Sequence, residues 1–486
     1  MIFLFFSFSS EKMQRTLVWF RNDLRVHDHE ALTEASKNGE VLLLYCFDPR
    51  QFGTTSFGFP KTGPFRAQFL LESVKQLKAS LQRLGGDLII RSGHPEEIIP
   101  ALVEQYSIDE VVFHEEVTQE ETDVEDAVER AISIPLYGYW GSTLYHMDDI
   151  PFDQFEIPDV FTVYRKRVEK EASVRSILNT PERIQCIEGV EASPIPDLES
   201  LGLKPRMTDS RSVLLFKGGE IEALERVNQY LWQRDKLKVY KTTRNGLIGA
   251  DYSSKFSPWL ANGTLSPRHI YWEVKKYENE RKKNDSTYWL IFELIWRDYF
   301  RFSAWRYQND VFKRGGIQKK ERVWATDPNA FDRWAQGKTG VPFIDANMRE
   351  LNATGFMSNR GRQNVASFLA QNLNLDWRMG AEYFESLLLD YDPCSNYGNW
   401  AYNATVGHDP RNRYFNILNQ ADRYDRKGEF VKLWIPELKQ LPPELIHAPQ
   451  YIPKHEFEKY NVKIGDHYPR PMIDLEQSYE AIKARD

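Results

Sequence analysis

The chain has 486 residues, 41% hydrophobic and 27% charged, with a net charge of −7 at pH 7. That length holds two or three domains, and the acidic balance excludes a uniformly basic nucleic-acid coat while leaving room for a local basic cleft. Cys46, Cys186 and Cys394 lie far apart with no CxxC, which excludes a disulfide framework and a thiolate zinc site and fits a reducing, cytoplasmic setting.

The opening MIFLFFSFSS is apolar but has no basic n-region or small-residue cleavage pattern, so it reads neither as a signal peptide nor as a bilayer span. Met13 is the candidate natural start. From there TLVWF (16–20), VLLLYCF (41–47), DLIIR (87–91) and EVVFH (110–114) alternate with helical stretches at 65–84, 95–105 and 118–132. This pattern predicts an α/β domain over 14–140 with a parallel sheet. No GxGxxG follows the first strand and no P-loop occurs, so an ordinary NAD or ATP site is not expected. Residues 141–213 read as a connector, helical around 162–178. From 214 to 486 amphipathic helices dominate, predicting a larger helical domain.

Several stretches carry chemistry. RNDLRVHDHEAL (21–32) gathers His27, Asp28, His29 and Glu30, but a helix begins there and Asp28 suits its N-cap, so no metal is expected. DYSSKFSPWLANGTLSPR (251–268) offers Ser253, Ser254, Lys255 and Ser257, donors suited to phosphates, although a polar helix-capping loop is the plainer reading. STYWLIFELIWRDYFRF (286–302) is apolar nearly all round and should be a buried central helix capped by Ser286 or Thr287. Trp289, Glu293, Arg297 and Arg301 recur on it every four residues, with Trp296 beside them. Either they form an intrahelical ladder or the stripe lines a cavity. SNRGRQNVASFL (358–369) sets Asn359, Arg360 and Arg362 ahead of an apolar helix face. Burying arginine without a partner is costly. LDYDPCSNYGNWAYN (389–403) supplies Asp390 and Asp392, too few for a metal site by themselves and a natural source of the carboxylate that Arg362 needs.

Together, in order, TGPFRAQFL, ADYSSKFSPWLA, LIFELIWRD, GFMSNRGRQNVASF and YDPCSNYGNW resemble the photolyase/cryptochrome family over almost the whole chain. YSSKFSPWLA and SNRGRQN are similar to its DASH branch. The resemblance implies a Rossmann-like α/β antenna domain and an all-helical domain holding FAD. It places Tyr240 and Ser253, Ser254, Lys255, Phe256 and Ser257 at the flavin's phosphate and ribose side, and Trp289 and Arg297 on the same cavity. Arg362 would pair with Asp390 against the ring. Asp392 would lie near the adenine, and Asn396 would face flavin N5. A neutral residue there, able to donate or accept, suits repair chemistry better than the aspartate of plant photoreceptors. Trp400, Trp377 and a surface Trp324 match the electron relay.

For substrate, the resemblance implies Glu293 against a cyclobutane pyrimidine dimer and Trp296 as its apolar wall. Asn359 and Arg360 would stand at the mouth, with Lys255 and Arg301 as further candidates for its basic rim. Extruding a dinucleotide costs less from a single strand. Tyr402 replaces the second tryptophan of double-strand photolyases, which weakens the apolar grip and suits single-stranded DNA. Ser358 stands where the (6-4) branch needs histidine, so that activity is discounted. Glu116, in FHEEV, would hold an antenna, 5,10-methenyltetrahydrofolate. The expected protein is a monomeric flavoprotein that repairs dimers in DNA without crossing a membrane. The rival is a blue-light photoreceptor or DNA-binding regulator, although the long C-terminal extension of signalling members is missing.

Overall fold

The computed structural model describes residues 13–485 apart from 38, 192, 410, 412 and 413. The segment 1–12, read above as preceding the natural start, lies outside the described residues. Five strands form one parallel sheet: β1 (Gln14–Phe20), β2 (Gly39–Phe47), β3 (Leu88–Ser92), β4 (Glu110–His114) and β5 (Leu136–Tyr139), ordered β3-β2-β1-β4-β5. Their near-continuous apolar runs reflect burial on both faces. Val18 and Phe20 pack with α1 (Glu30–Ala35) and α2 (Pro64–Arg83), while Leu17 and Trp19 face α3 (Pro95–Tyr106) and α4 (Gln119–Ala131). β5 was not expected. It is a four-residue edge strand, LYGY, too short and too exposed to give an apolar run.

The strand order reverses between β1 and β4, and the loops leaving their carboxyl ends open a crevice there. Asn22 and Glu116 sit in those two loops. Among the described residues no further strand follows Tyr139, and helices predominate. The connector contributes α5 (Phe161–Glu171), shorter than the predicted stretch, and a bridge from Cys186 to Val41 at the sheet.

The central helix spans Asp285–Tyr307 and is buried along most of its circumference. Its cap is Asn284, two or three residues ahead of the expectation. The Asn284 side chain accepts from Ser286 N (2.9 Å) and Thr287 N (3.1 Å), and Thr287 Oγ1 accepts from Asn284 N in return. This reciprocal box satisfies donors that Ser286 or Thr287 could not reach from inside the first turn.

Asp28 is likewise not a cap. His29 fills that role, accepting from Leu32 N, whereas Asp28 adopts a positive φ of 48° and pairs with Arg268 of the helical domain at 2.7 Å. His29 turns to Asp23 (2.8 Å) and His27 to Glu220. The apparent metal cluster therefore disperses: Asp28 and His27 clamp the two domains together, while His29 is held within the first. No helix among the described residues is long and apolar enough to cross a membrane.

Candidate active site

A cavity of about 280 Å³ opens within the helical domain. One wall is the loop 252–257. Another is the central helix with Leu290, Glu293 and Arg297. A third is the helix Asn359–Ser367, and the floor carries Asp390, Asn396 and Trp400. Tyr240, Ser253, Ser254, Lys255, Phe256, Ser257, Asn359 and Arg362 all line this one space, although they come from three separate stretches of sequence.

The helix Asn359–Ser367 begins at Ser358, whose Oγ accepts from Gly361 N at 3.0 Å. Arg362 lies in the first turn. It donates from Nε to Met357 O (2.9 Å) and from Nη2 to Asp390 Oδ2 (2.9 Å). Asp390 Oδ1 is buried with no protein partner. Asn396 donates its amide nitrogen to Ala381 O at 3.0 Å, which leaves Oδ1 as the atom available to the cavity.

Lys255 is 3% exposed and, among the described residues, makes no ion pair. It takes a left-handed φ of 59°, with Nζ 3.3 Å from Ser253 Oγ and 3.1 Å from the centre of the Tyr252 ring. Burial and the nearby Arg226 push its pKa well below the lysine range. An unpaired buried cation beside three serines is a donor set that fits a diphosphate. Behind it lies Glu350, buried, both carboxylate oxygens unpartnered, its pKa pushed by burial up to about 8.

The i+4 stripe does not face one direction. Each step of four residues at 3.6 per turn advances about 40°, so the stripe winds around the central helix. Glu293 and Arg297 line the cavity, whereas Arg301 reaches a second one. No intrahelical ladder forms. Glu293 pairs with Arg244, and Arg297 donates to the carbonyls of Ser142 and Leu260. Burial raises the Glu293 pKa against the opposing pull of Arg244.

Five of the expected site residues stand off this lining. Trp289 packs on Phe292 (ring centroids 4.7 Å) under Lys241, outside the cavity lining. Trp296 stacks on Phe161 of α5 at 3.6 Å. Tyr402 turns away, its hydroxyl 3.0 Å from Asp409. Asp392 lies on the far side of the floor, where it caps the helix Pro393–Asn403 through Ser395 N (2.8 Å) and meets Arg301 at 3.3 Å. Arg360 stands off the lining, held by Asn245 (3.0 Å) and the Tyr424 ring (4.6 Å).

Trp400 lines the cavity and lies against Gly380, where an added Cβ would overlap its ring. Trp377 is one turn earlier on the same helix, Trp377–Leu387, and is fully buried. Trp324 belongs to the same core but is only 4% exposed, not a surface residue, because Arg322 covers its ring at 4.1 Å.

The second cavity, about 450 Å³, opens at the crevice between β1 and β4 and is closed by the helical domain. Glu116 lies in it, accepting from Asn22 Nδ2 (3.0 Å) and from Arg301. Burial would raise its pKa, but Arg301 and its other basic neighbours outweigh that and hold it at about 2. Tyr391 lines both cavities. Arg244, Gln363, Glu350 and Tyr391 escaped sequence reasoning. Gln363 sat unread beside Arg362, and Glu350 fell in no stretch singled out above.

Known proteins resemble this chain in sequence and in fold. Residues 16–185 match the DNA photolyase family and 289–485 match the FAD binding domain of DNA photolyase. Cryptochrome DASH of Gloeobacter violaceus is 54% identical over 96% of this chain and 95% of its own, and that of Danio rerio is 51% identical over 93% and 89%. The crystal structure of Synechocystis sp. PCC6803 cryptochrome superposes with a TM-score of 0.95 at 50% identity, covering 98% of this chain and all of that one. A class III photolyase from Agrobacterium tumefaciens gives 0.86 at 28% identity over 98% and 99%. With two matching family segments and relatives this similar over nearly the full length, the chain belongs to the photolyase/cryptochrome family, in its cryptochrome DASH branch, and carries that family's FAD-binding domain.

Proposed function

We propose that the chain uses blue light to split cyclobutane pyrimidine dimers, chiefly in single-stranded DNA. FAD, bound and reduced, supplies the electron for ring splitting and recovers it afterwards. The observation that carries the reading is that Glu293 and Asn359 share one cavity with Arg362, Asp390 and Asn396. Lys255 with Ser253, Ser254 and Ser257 would hold the diphosphate. Arg362, fixed by Asp390, sets a cation beside the ring position, where a dry site makes its charge count most. Asn396 offers an acceptor without adding negative charge. Glu293 would face the lesion side as a hydrogen-bonding partner for a pyrimidine, its pKa raised by burial against the opposing pull of Arg244. Arg244 and Arg360 supply a cationic mouth whose grip on phosphates should weaken with salt.

Glu116 and its cavity would hold 5,10-methenyltetrahydrofolate as antenna. The test is light-driven recovery of thymine absorbance on an oligothymidylate carrying dimers, with anaerobically reduced protein and a duplex in parallel. Recovery on single strands with little on intact duplex supports the reading. No recovery with DNA bound and FAD reduced sinks it.

A second reading, a blue-light photoreceptor or regulator with little repair, is favoured by one observation. Trp296 and Tyr402, the expected walls against the lesion bases, both lie outside the cavity lining. Glu293→Gln separates the two, since it should slow repair and leave FAD binding unchanged.

A further inference from the structure

We infer that the two cavities are energetically coupled through Glu116, Arg301 and Asp392, and that Asp392 is the positioning residue through which the occupant of the second cavity is felt at the flavin site. The chain of contacts is continuous and buried. Arg301 is 4% exposed and bridges Glu116 of the second cavity to Asp392 Oδ2 at 3.3 Å. The same Oδ2 lies 3.9 Å from Nη2 of Arg297, which lines the first cavity. One carboxylate oxygen is thus shared by two arginines that belong to opposite cavities. The other oxygen caps the helix Pro393–Asn403, and the Asp392 carbonyl accepts from Asn396 N at 2.8 Å. That helix carries Asn396 and Trp400 into the first cavity.

The charges give the direction. The two carboxylates and two guanidiniums lie largely out of water, with Arg21 and Asp298 also in their field, so a change at one member is passed on to its neighbours rather than screened. A ligand whose N–H groups occupy Glu116 competes with Arg301 there. Arg301 then leans on Asp392 and draws it from Arg297. Arg297 is freed to serve an anion in the first cavity, so filling the second cavity tightens FAD binding. Coupling of this kind is reciprocal, and FAD must tighten the other ligand by the same factor.

The inference rests on the antenna reading for its natural ligand, and the experiment separates the two. FAD affinity is measured in the dark without DNA, with and without 5,10-methenyltetrahydrofolate, for the parent chain and for Asp392→Asn. Asparagine keeps the N-cap and removes the shared charge. The parent should bind FAD roughly fivefold tighter or more with the folate present, a typical allosteric coupling, and Asp392→Asn should show no difference. Equal coupling in both, no coupling in the parent, or weaker FAD binding with folate would each overturn the inference. Glu116→Gln provides a ligand-free arm. It loosens the first ion pair and should tighten FAD binding several-fold by itself; an unchanged or weakened affinity overturns the inference whether or not folate binds. Failure of folate to bind would sink only the antenna reading.

Discussion

Arg362 meets Asp390 at 2.9 Å on the cavity floor, although 27 residues of helix and turn separate them in the chain. The Asp390 side chain is 3% exposed and Arg362 24%, so the pair is shielded on one side and open to the cavity on the other. Asp390→Asn keeps the shape and removes the charge that fixes the guanidinium. FAD affinity should fall by about 1–3 kcal/mol, discounted from a fully buried pair because Arg362 is part exposed. Titration of the FAD-free protein with FAD checks this, and unchanged affinity would remove the pair from the cofactor site.

Lys255 should trade stability for binding. Lys255→Met removes a buried amine that has no ion-pair partner, so the FAD-free protein gains about 1–3 kcal/mol in urea melts. The same change should weaken FAD binding about tenfold or more, the loss of one charge-assisted hydrogen bond. Burial depresses the pKa in the FAD-free protein, and a phosphate partner would raise it. FAD binding then takes up a proton, and affinity falls as pH rises above the depressed value. Calorimetry in buffers of different ionisation heat detects that proton.

Glu350 gives a stability profile with a defined sign. Its carboxyl, buried without a hydrogen-bond partner, titrates at about 8 in the fold against 4.5 ordinarily. Between those values the folded state binds more protons than the unfolded one. The contribution is therefore complete below pH 4.5 and is lost as pH rises through about 8. Glu350→Gln cannot ionise. Its stability relative to the parent should climb across that window, by on the order of 3–5 kcal/mol, and level off above it. Parallel urea curves at acid and alkaline pH would show that Glu350 does not titrate in this way.

The Trp400 ring depends on the missing side chain at Gly380. Gly380→Ala forces the ring or the helix to shift, an overpacking cost of about 1–3 kcal/mol. Photoreduction of bound FAD should slow in this variant and more severely in Trp400→Phe. Flash photolysis measures both, and an unaltered rate in Gly380→Ala would mean that the ring's placement is not limiting.

The sequence by itself determined the local order of this protein. Apolar runs marked four of the five strands, because strands covered on both faces read as continuous hydrophobic stretches. Arg362 needed a carboxylate, and Asp390 was a readable source, because burying arginine alone is costly. What only the tertiary structure decided is direction. Trp289, Glu293, Arg297 and Arg301 look equivalent at four-residue spacing, yet the winding of the stripe sends the first outside the cavity lining, the next two to the cavity wall and the last to a second cavity. Asp392 is two residues from Asp390 and serves the opposite side of the floor. Spacing along a helix tells which side chains are neighbours. Which of them face a cavity depends on what packs against the helix from hundreds of residues away, and that information is held in no single stretch.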